Sequence, residues 1–129
     1  MDKNKKWTIL VVDDEEEIRR ATSNMFERAG FEVSQAENGV EALKIINRDK
    51  PDMILLDGMM PEMTGFEVYK AVKSNPQTRD VPVILCSAAD KEEILKNNVN
   101  PDDYIQKPIQ FQKLYQKVIK ILGLDSVSP

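Results

Sequence analysis

Histidine is absent from this 129-residue chain, and cysteine occurs once. Without histidine there is no Ser-His-Asp or Cys-His nucleophile and no His-ligated zinc site. The lone Cys86 lies inside an apolar run, where it reads as a small buried hydrophobe, and it has no second cysteine for an internal disulfide. No apolar stretch approaches membrane-spanning length, and residues 1–6 lack the apolar core of a signal peptide. Internal repeats, linkers and low-complexity tracts are missing as well. These absences point to a cytoplasmic protein with no membrane partner. A formal charge of −4 argues against a non-specific grip on nucleic acid.

What is present is an ordinary globular composition, 41% hydrophobic and 31% charged, at a length that suits one core. The expectation is a single domain, 1–129, with its core at about 7–122 and no effector domain after the last helix. The first strand is 7–12, β-branched and continuous, and it stops at five consecutive acids, Asp13 to Glu17. A helix follows with Ile18, Ala21, Thr22, Met25, Phe26 and Ala29 on one expected apolar face, ended by Gly30. Residues 31–36 alternate as an edge strand does. Asn38 is the expected N-cap of the next helix, with Glu41 placed to close a capping box.

The centre of the chain is 53–56, an apolar run too short for a helix, bounded by Pro51 and Gly58. It reads as a strand buried on both faces. Asp57 follows at once, where an ionised carboxylate is costly unless a cation or hydrogen bonds hold it. A third helix is expected at 65–74, a strand at 81–86, a weak helix at 91–97, a short strand at 104–106 and a last helix ended by Gly123. Alternating strands and helices imply right-handed crossovers and an α/β fold. The expected architecture is a doubly wound, five-stranded parallel sheet of flavodoxin-like order 2-1-3-4-5.

That order brings the ends of several strands to one crevice. Strands one and three deliver Asp13, Asp14 and Asp57, strand four Ser87, and strand five Lys107. Taken singly, each has a plainer role: a helix-start acid, a turn residue, a cap, a solvated lysine. Together, three carboxylates make sense around a hard cation, and oxygen ligands suit magnesium. A nucleophilic carboxylate, a cation site, a hydroxyl and an ammonium are the equipment of phosphoryl transfer.

The segment from Asp57 through Met59-Met60-Pro61 to Gly65 resembles the phospho-acceptor segment of response-regulator receiver domains, and the resemblance extends over 8–122. It implies that Asp57 takes a phosphoryl group from a histidine kinase or a histidine phosphotransfer protein. It implies Mg2+, with Mn2+ as the alternative, on Asp13, Asp14, Asp57 and the Met59 carbonyl. Lys107 would contact a phosphoryl oxygen, with a cis bond to Pro108. Ser87 and Tyr104 would be the switch pair, and Ala88 would leave room for the phosphoryl group. The protein would be a regulatory phospho-acceptor rather than an enzyme, assisting its own phosphorylation and dephosphorylation. Phosphorylation would change the face built from helix four, strand five and helix five, which a downstream protein or effector domain reads. A monomer, or a dimer formed on phosphorylation, is expected. Met59 and Ala89 would flank the hydrolytic water, neither offering it a polar side chain.

Three alternatives compete. A pseudo-receiver docks without phosphate, but such domains usually lose an acidic-pocket residue or the lysine. Mass change, or fluorescence change at Trp7, with acetyl phosphate or beryllofluoride would separate it. A haloacid-dehalogenase phosphatase needs an Asp-x-Asp turn after the first strand, which Asp13-Asp14-Glu15 does not supply. Flavin binding needs a polar phosphate loop where this chain has acids. The stretch between Ser87 and Tyr104 is shorter than the family's usual length, with Asn97, Asn98 and Pro101 opposing a full helix four. Amide exchange in this stretch should therefore be faster than in strands one and three of the unphosphorylated protein; equally slow exchange would contradict this.

Overall fold

Apolar strands without alternation can be buried only where both faces of a sheet are covered. The computed structural model, which describes residues 6–88, 91–96 and 101–124, meets that requirement with ten alternating elements. They are β1 (Thr8–Val12), α1 (Glu16–Arg28), β2 (Glu32–Ala36), α2 (Gly39–Arg48), β3 (Met53–Asp57), α3 (Gly65–Ser74), β4 (Val83–Ser87), α4 (Lys91–Lys96), β5 (Asp103–Gln106) and α5 (Phe111–Ile121). The sheet is parallel throughout, in the order β2-β1-β3-β4-β5. This is the doubly wound, flavodoxin-like architecture expected from the sequence.

Successive strand residues point to opposite faces, so each strand feeds two cores. On one face Leu10, Val12, Ile54, Leu56, Val83 and Leu85 pack with Ala42 and Ile46 of α2, Val68 and Val72 of α3, and Ile94 of α4. On the other, Ile9, Val11, Met53, Leu55, Ile84 and Cys86 meet Phe26 of α1 and Leu114 and Val118 of α5. At the amino ends of the strands, Thr8 and Asp52 lock β1 to β3: the Thr8 N–H and Oγ1 both donate to Asp52 Oδ2, at 2.9 and 3.1 Å.

The buried line of α1 departs from the expected stripe. Ser23 and Phe26 are its buried residues, whereas Ala21 and Ala29 are exposed and Met25 is 40% exposed. A serine can face the core because its Oγ donates to the Arg19 carbonyl at 2.7 Å, satisfying the hydroxyl on its own helix. Phe26 then meets Phe31 and Phe111 edge-on, at centroid distances of 5.6 and 5.0 Å.

The helix starts differ in detail from expectation. Asn38 caps α2, its Oδ1 accepting from the Glu41 N–H at 2.8 Å, but the Glu41 carboxylate reaches back to the Glu37 N–H rather than to that of Asn38. The reciprocal capping box forms instead at α3, between Thr64 and Glu67. Helix α4 has six residues; Asn97, Asn98 and Asn100 lie outside the described residues. The segment after them is anchored through Asp102, whose Oδ2 accepts from the Val83 N–H at 2.7 Å and lies 3.5 Å from Lys73 Nζ.

The α1 geometry separates two neighbouring side chains. Phe26→Ala should destabilise the fold by about 3–5 kcal/mol, as large buried aromatics do, while Met25→Ala should cost less than about 1 kcal/mol. Denaturant unfolding of both variants measures this, and equal costs would contradict the burial seen here.

Candidate functional site

Parallel strands place their carboxyl ends on one edge, and β1 and β3 are neighbours at the point where the strand order reverses. Asp57 is the last residue of β3 and is 3% exposed; Asp13 follows β1 directly and is 4% exposed. Asp14 is exposed beside them. Carboxylate oxygens of Asp13, Asp14 and Asp57 lie within 4.8 Å of one another. Three hard oxygen donors converging in this way fit a divalent cation of the magnesium class.

Lys107, which follows β5, closes the cluster. Its Nζ is 3.1 Å from Asp13 Oδ2 and 3.4 Å from Asp57 Oδ2, and the side chain is only 16% exposed. The Lys107 N–H donates to the Ser87 carbonyl at 2.8 Å, so the end of β4 sets where the lysine leaves the sheet. The Lys107–Pro108 peptide bond is cis. Burial works most strongly against the ammonium, but the charges of Asp57 and Asp13 together outweigh it and raise the lysine pKa.

Asp57 is the perturbed acid. Burial disfavours its charge, the nearby Asp13 charge and a hydrogen bond with Asp14 act in the same direction, and the pKa is raised to about 6. The Met59 N–H, donating to Asp57 Oδ1 at 3.0 Å, and the Lys107 charge pull it down without cancelling the rise. Cys86, one residue before the end of β4, is inert by comparison: burial pushes its thiol up to about 12.

The remaining candidates sit around this cluster. Ser87 ends β4 fully buried, beside Gly58. Tyr104 is half-buried on β5, opposite Leu85 and against the core face that includes Ile94. Met59 is 57% exposed, and Ala88 is exposed. Ala89 lies outside the described residues. Gly65 opens α3 as the sequence led one to expect, and the structure supplies the reason: any Cβ there would run into the Asp57 carbonyl oxygen, so only glycine lets the helix begin against the end of β3. Trp7 precedes β1, at the opposite end of that strand from this edge. A groove of about 570 Å3 adjoins Lys107, lined by Ile18, Met25, Pro108, Ile109 and Leu114 among others.

Residues 9–119 match the model of the response regulator receiver domain. The chain belongs to the response-regulator receiver family. It is 39% identical over 117 residues to the phosphate regulon transcriptional regulatory protein PhoB of Pseudomonas aeruginosa, covering 89% of this chain and 51% of that protein. It is 40% identical over 127 residues to the alkaline phosphatase synthesis transcriptional regulatory protein PhoP of Bacillus subtilis, covering 97% and 51%. This receiver therefore spans about half the length of the curated relatives it matches. Among solved structures, the chemotaxis protein CheY4 of Vibrio cholerae superposes with a TM-score of 0.85 at 30% identity, covering 91% of this chain and 99% of that one. The response regulator TrrA of Thermotoga maritima, solved with Mg2+ and BeF, superposes at 0.80 with 34% identity, covering 89% and 98%. The receiver is a regulatory domain of two-component signalling, and the pseudo-receiver alternative is not favoured. No helix among the described residues is long and apolar enough to cross a membrane.

The raised Asp57 pKa has a consequence for stability. A carboxyl group whose folded pKa lies above its unfolded value of 3.8 binds more protons folded than unfolded, so its ionisation opposes folding. That cost grows as pH rises through about 6 and vanishes below about 4. Asp57→Asn should therefore stabilise the metal-free receiver at pH 7.5 by about 1–3 kcal/mol, with the gain shrinking toward pH 4. Paired urea unfolding of parent and variant across that range checks it, and a gain that grows with acidity would contradict it.

Proposed function

We propose that Asp57 accepts a phosphoryl group from a phosphohistidine of a histidine kinase or phosphotransfer protein. The observation that carries this reading is the placement of Lys107 Nζ within 3.4 Å of both Asp13 and Asp57, at the edge where three carboxylates converge. A carboxylate oxygen of Asp57 attacks phosphorus as the P–N bond to the imidazole breaks, leaving a mixed anhydride on Asp57 and a neutral histidine that takes its proton from solvent. The chain has no histidine, so the donor lies outside these 129 residues. The apolar groove that Lys107 helps to line would give a donor protein a surface to rest on.

Asp13, Asp14 and Asp57, with the Met59 carbonyl, would hold Mg2+, with Mn2+ as the alternative. The bound ion supplies charge neutralisation for the phosphoryl oxygens. Lys107 does the same from the other side, moving from its carboxylate partners to the incoming oxygen. Ser87 donates its hydroxyl to the phosphoryl group, and Tyr104 follows into the space it leaves. The output face of α4, β5 and α5 is thereby biased toward a second arrangement. Residues 1–129 act as one regulatory unit, not an enzyme of independent turnover, in the cytoplasm. A downstream protein or effector domain reads it as a monomer or as a phosphorylation-dependent dimer, and the unit makes no direct grip on nucleic acid. Met59 offers water no polar side chain, which favours slow loss of the phosphoryl group.

Incubation with acetyl phosphate and Mg2+, followed by intact mass measurement, tests the reading. The parent should gain one phosphoryl group, Asp57→Asn none, and Lys107→Met should gain it roughly 100-fold more slowly. A parent that gains nothing, or an Asp57→Asn chain that gains as much as the parent, would overturn the proposal.

A further inference from the structure

Asp13 and Asp14 can share an ion with Asp57 only if the turn after β1 holds both carboxylates in place, and α1 starts only at Glu16. The turn is fastened from three sides instead. The Asp13 N–H donates to the Ala36 carbonyl of β2 at 3.1 Å, and Asp13 Oδ1 accepts from the Glu15 N–H at 2.9 Å. Arg19 Nη1 donates to the Asp13 carbonyl at 3.1 Å. That carbonyl belongs to the peptide unit joining Asp13 to Asp14, and peptide units are planar, so this one bond orients the plane flanked by both acidic residues.

Arg19 is itself oriented. Its Nε donates to Gln35 Oε1 on β2 at 3.1 Å, and its backbone N–H donates to the Glu15 carbonyl at 2.9 Å. The guanidinium presents Nε and Nη1 in one rigid plane, a pairing that a lysine ammonium does not reproduce. The edge strand β2 therefore braces the turn twice, once through Ala36 and once through Gln35 and Arg19.

We propose that Arg19, braced by Gln35, is a positioning residue for the acidic pocket and strengthens its hold on a divalent cation by fixing the Asp13–Asp14 peptide plane. The inference rests on Asp13, Asp14 and Asp57 forming a cation site. Two effects of the arginine oppose each other. As a positive charge it repels a cation, so its removal would tighten binding; as a brace it favours binding, so its removal weakens it. The sign of the change separates them.

Calorimetric titration with Mg2+ of the parent, Arg19→Gln, Arg19→Lys and Gln35→Ala tests this, alongside exchange of the Glu15 amide without the ion. Arg19→Gln should bind Mg2+ about tenfold more weakly, as loss of a residue supporting metal ligands does. Arg19→Lys, which keeps the charge and loses the fork, should also be weaker than the parent. Gln35→Ala should fall in between, and the Glu15 amide should exchange faster in Arg19→Gln. Mg2+ binding by Arg19→Gln as tight as that of the parent, or tighter, would overturn the proposal and leave the cation site standing. A parent that takes up no Mg2+ overturns both. Should Arg19→Gln lose its far-UV signature, Gln35→Ala decides the matter: an affinity equal to the parent's rejects the brace.

Discussion

The structure is arranged around a repulsion. Asp13 and Asp57 are both buried at the ends of adjacent strands, where water cannot screen them from each other. The pair is tolerable because a single ammonium, that of Lys107, lies within 3.4 Å of both. Each carboxylate also takes a backbone N–H, Glu15 for Asp13 and Met59 for Asp57. These contacts do not remove the cost, and Asp57 remains a weaker acid than an exposed aspartate. An unrelieved charge of this kind favours the arrival of a cation or of a group that consumes the carboxylate's charge.

The same economy explains where stability comes from. Two cores, one on each face of the sheet, hold β1, β3 and β4 so firmly that their ends can carry unfavourable chemistry. Polar fasteners lie elsewhere: Thr8 with Asp52 at the amino ends of β1 and β3, and Lys73 with Asp102 at the starts of β4 and β5. Among the described residues no buried side-chain nitrogen or oxygen lacks a hydrogen-bond partner. The tension in the acidic edge is therefore electrostatic, not a failure of hydrogen bonding.

Much of this was legible in the chain because the signals were local. The unbroken apolar runs at β1, β3 and β4 announced strands covered on both sides, and the acid after each of the first two marked the sheet edge. Where the reading failed, the deciding partner was remote or the polarity misleading. The expected apolar face of α1 included Met25 and left out Ser23, yet the serine hydroxyl is satisfied by its own helix and the residue is buried while Met25 is exposed. Arg19 carried no local signal, and only the fold shows that it reaches a carbonyl of the preceding turn and a glutamine of β2.

By itself, then, the order of residue types determined the alternation of strands and helices, and from it which side chains must come to the ends of the strands. Periodicity and punctuation are short-range properties, and a short window contains them in full. Only the tertiary structure decided how the charges at those ends are shared: that Lys107 bridges Asp13 and Asp57, that Asp14 is exposed, and that burial weakens the acidity of Asp57. Burial and distance between groups far apart in the chain set those outcomes, and both exist only once the sheet has closed.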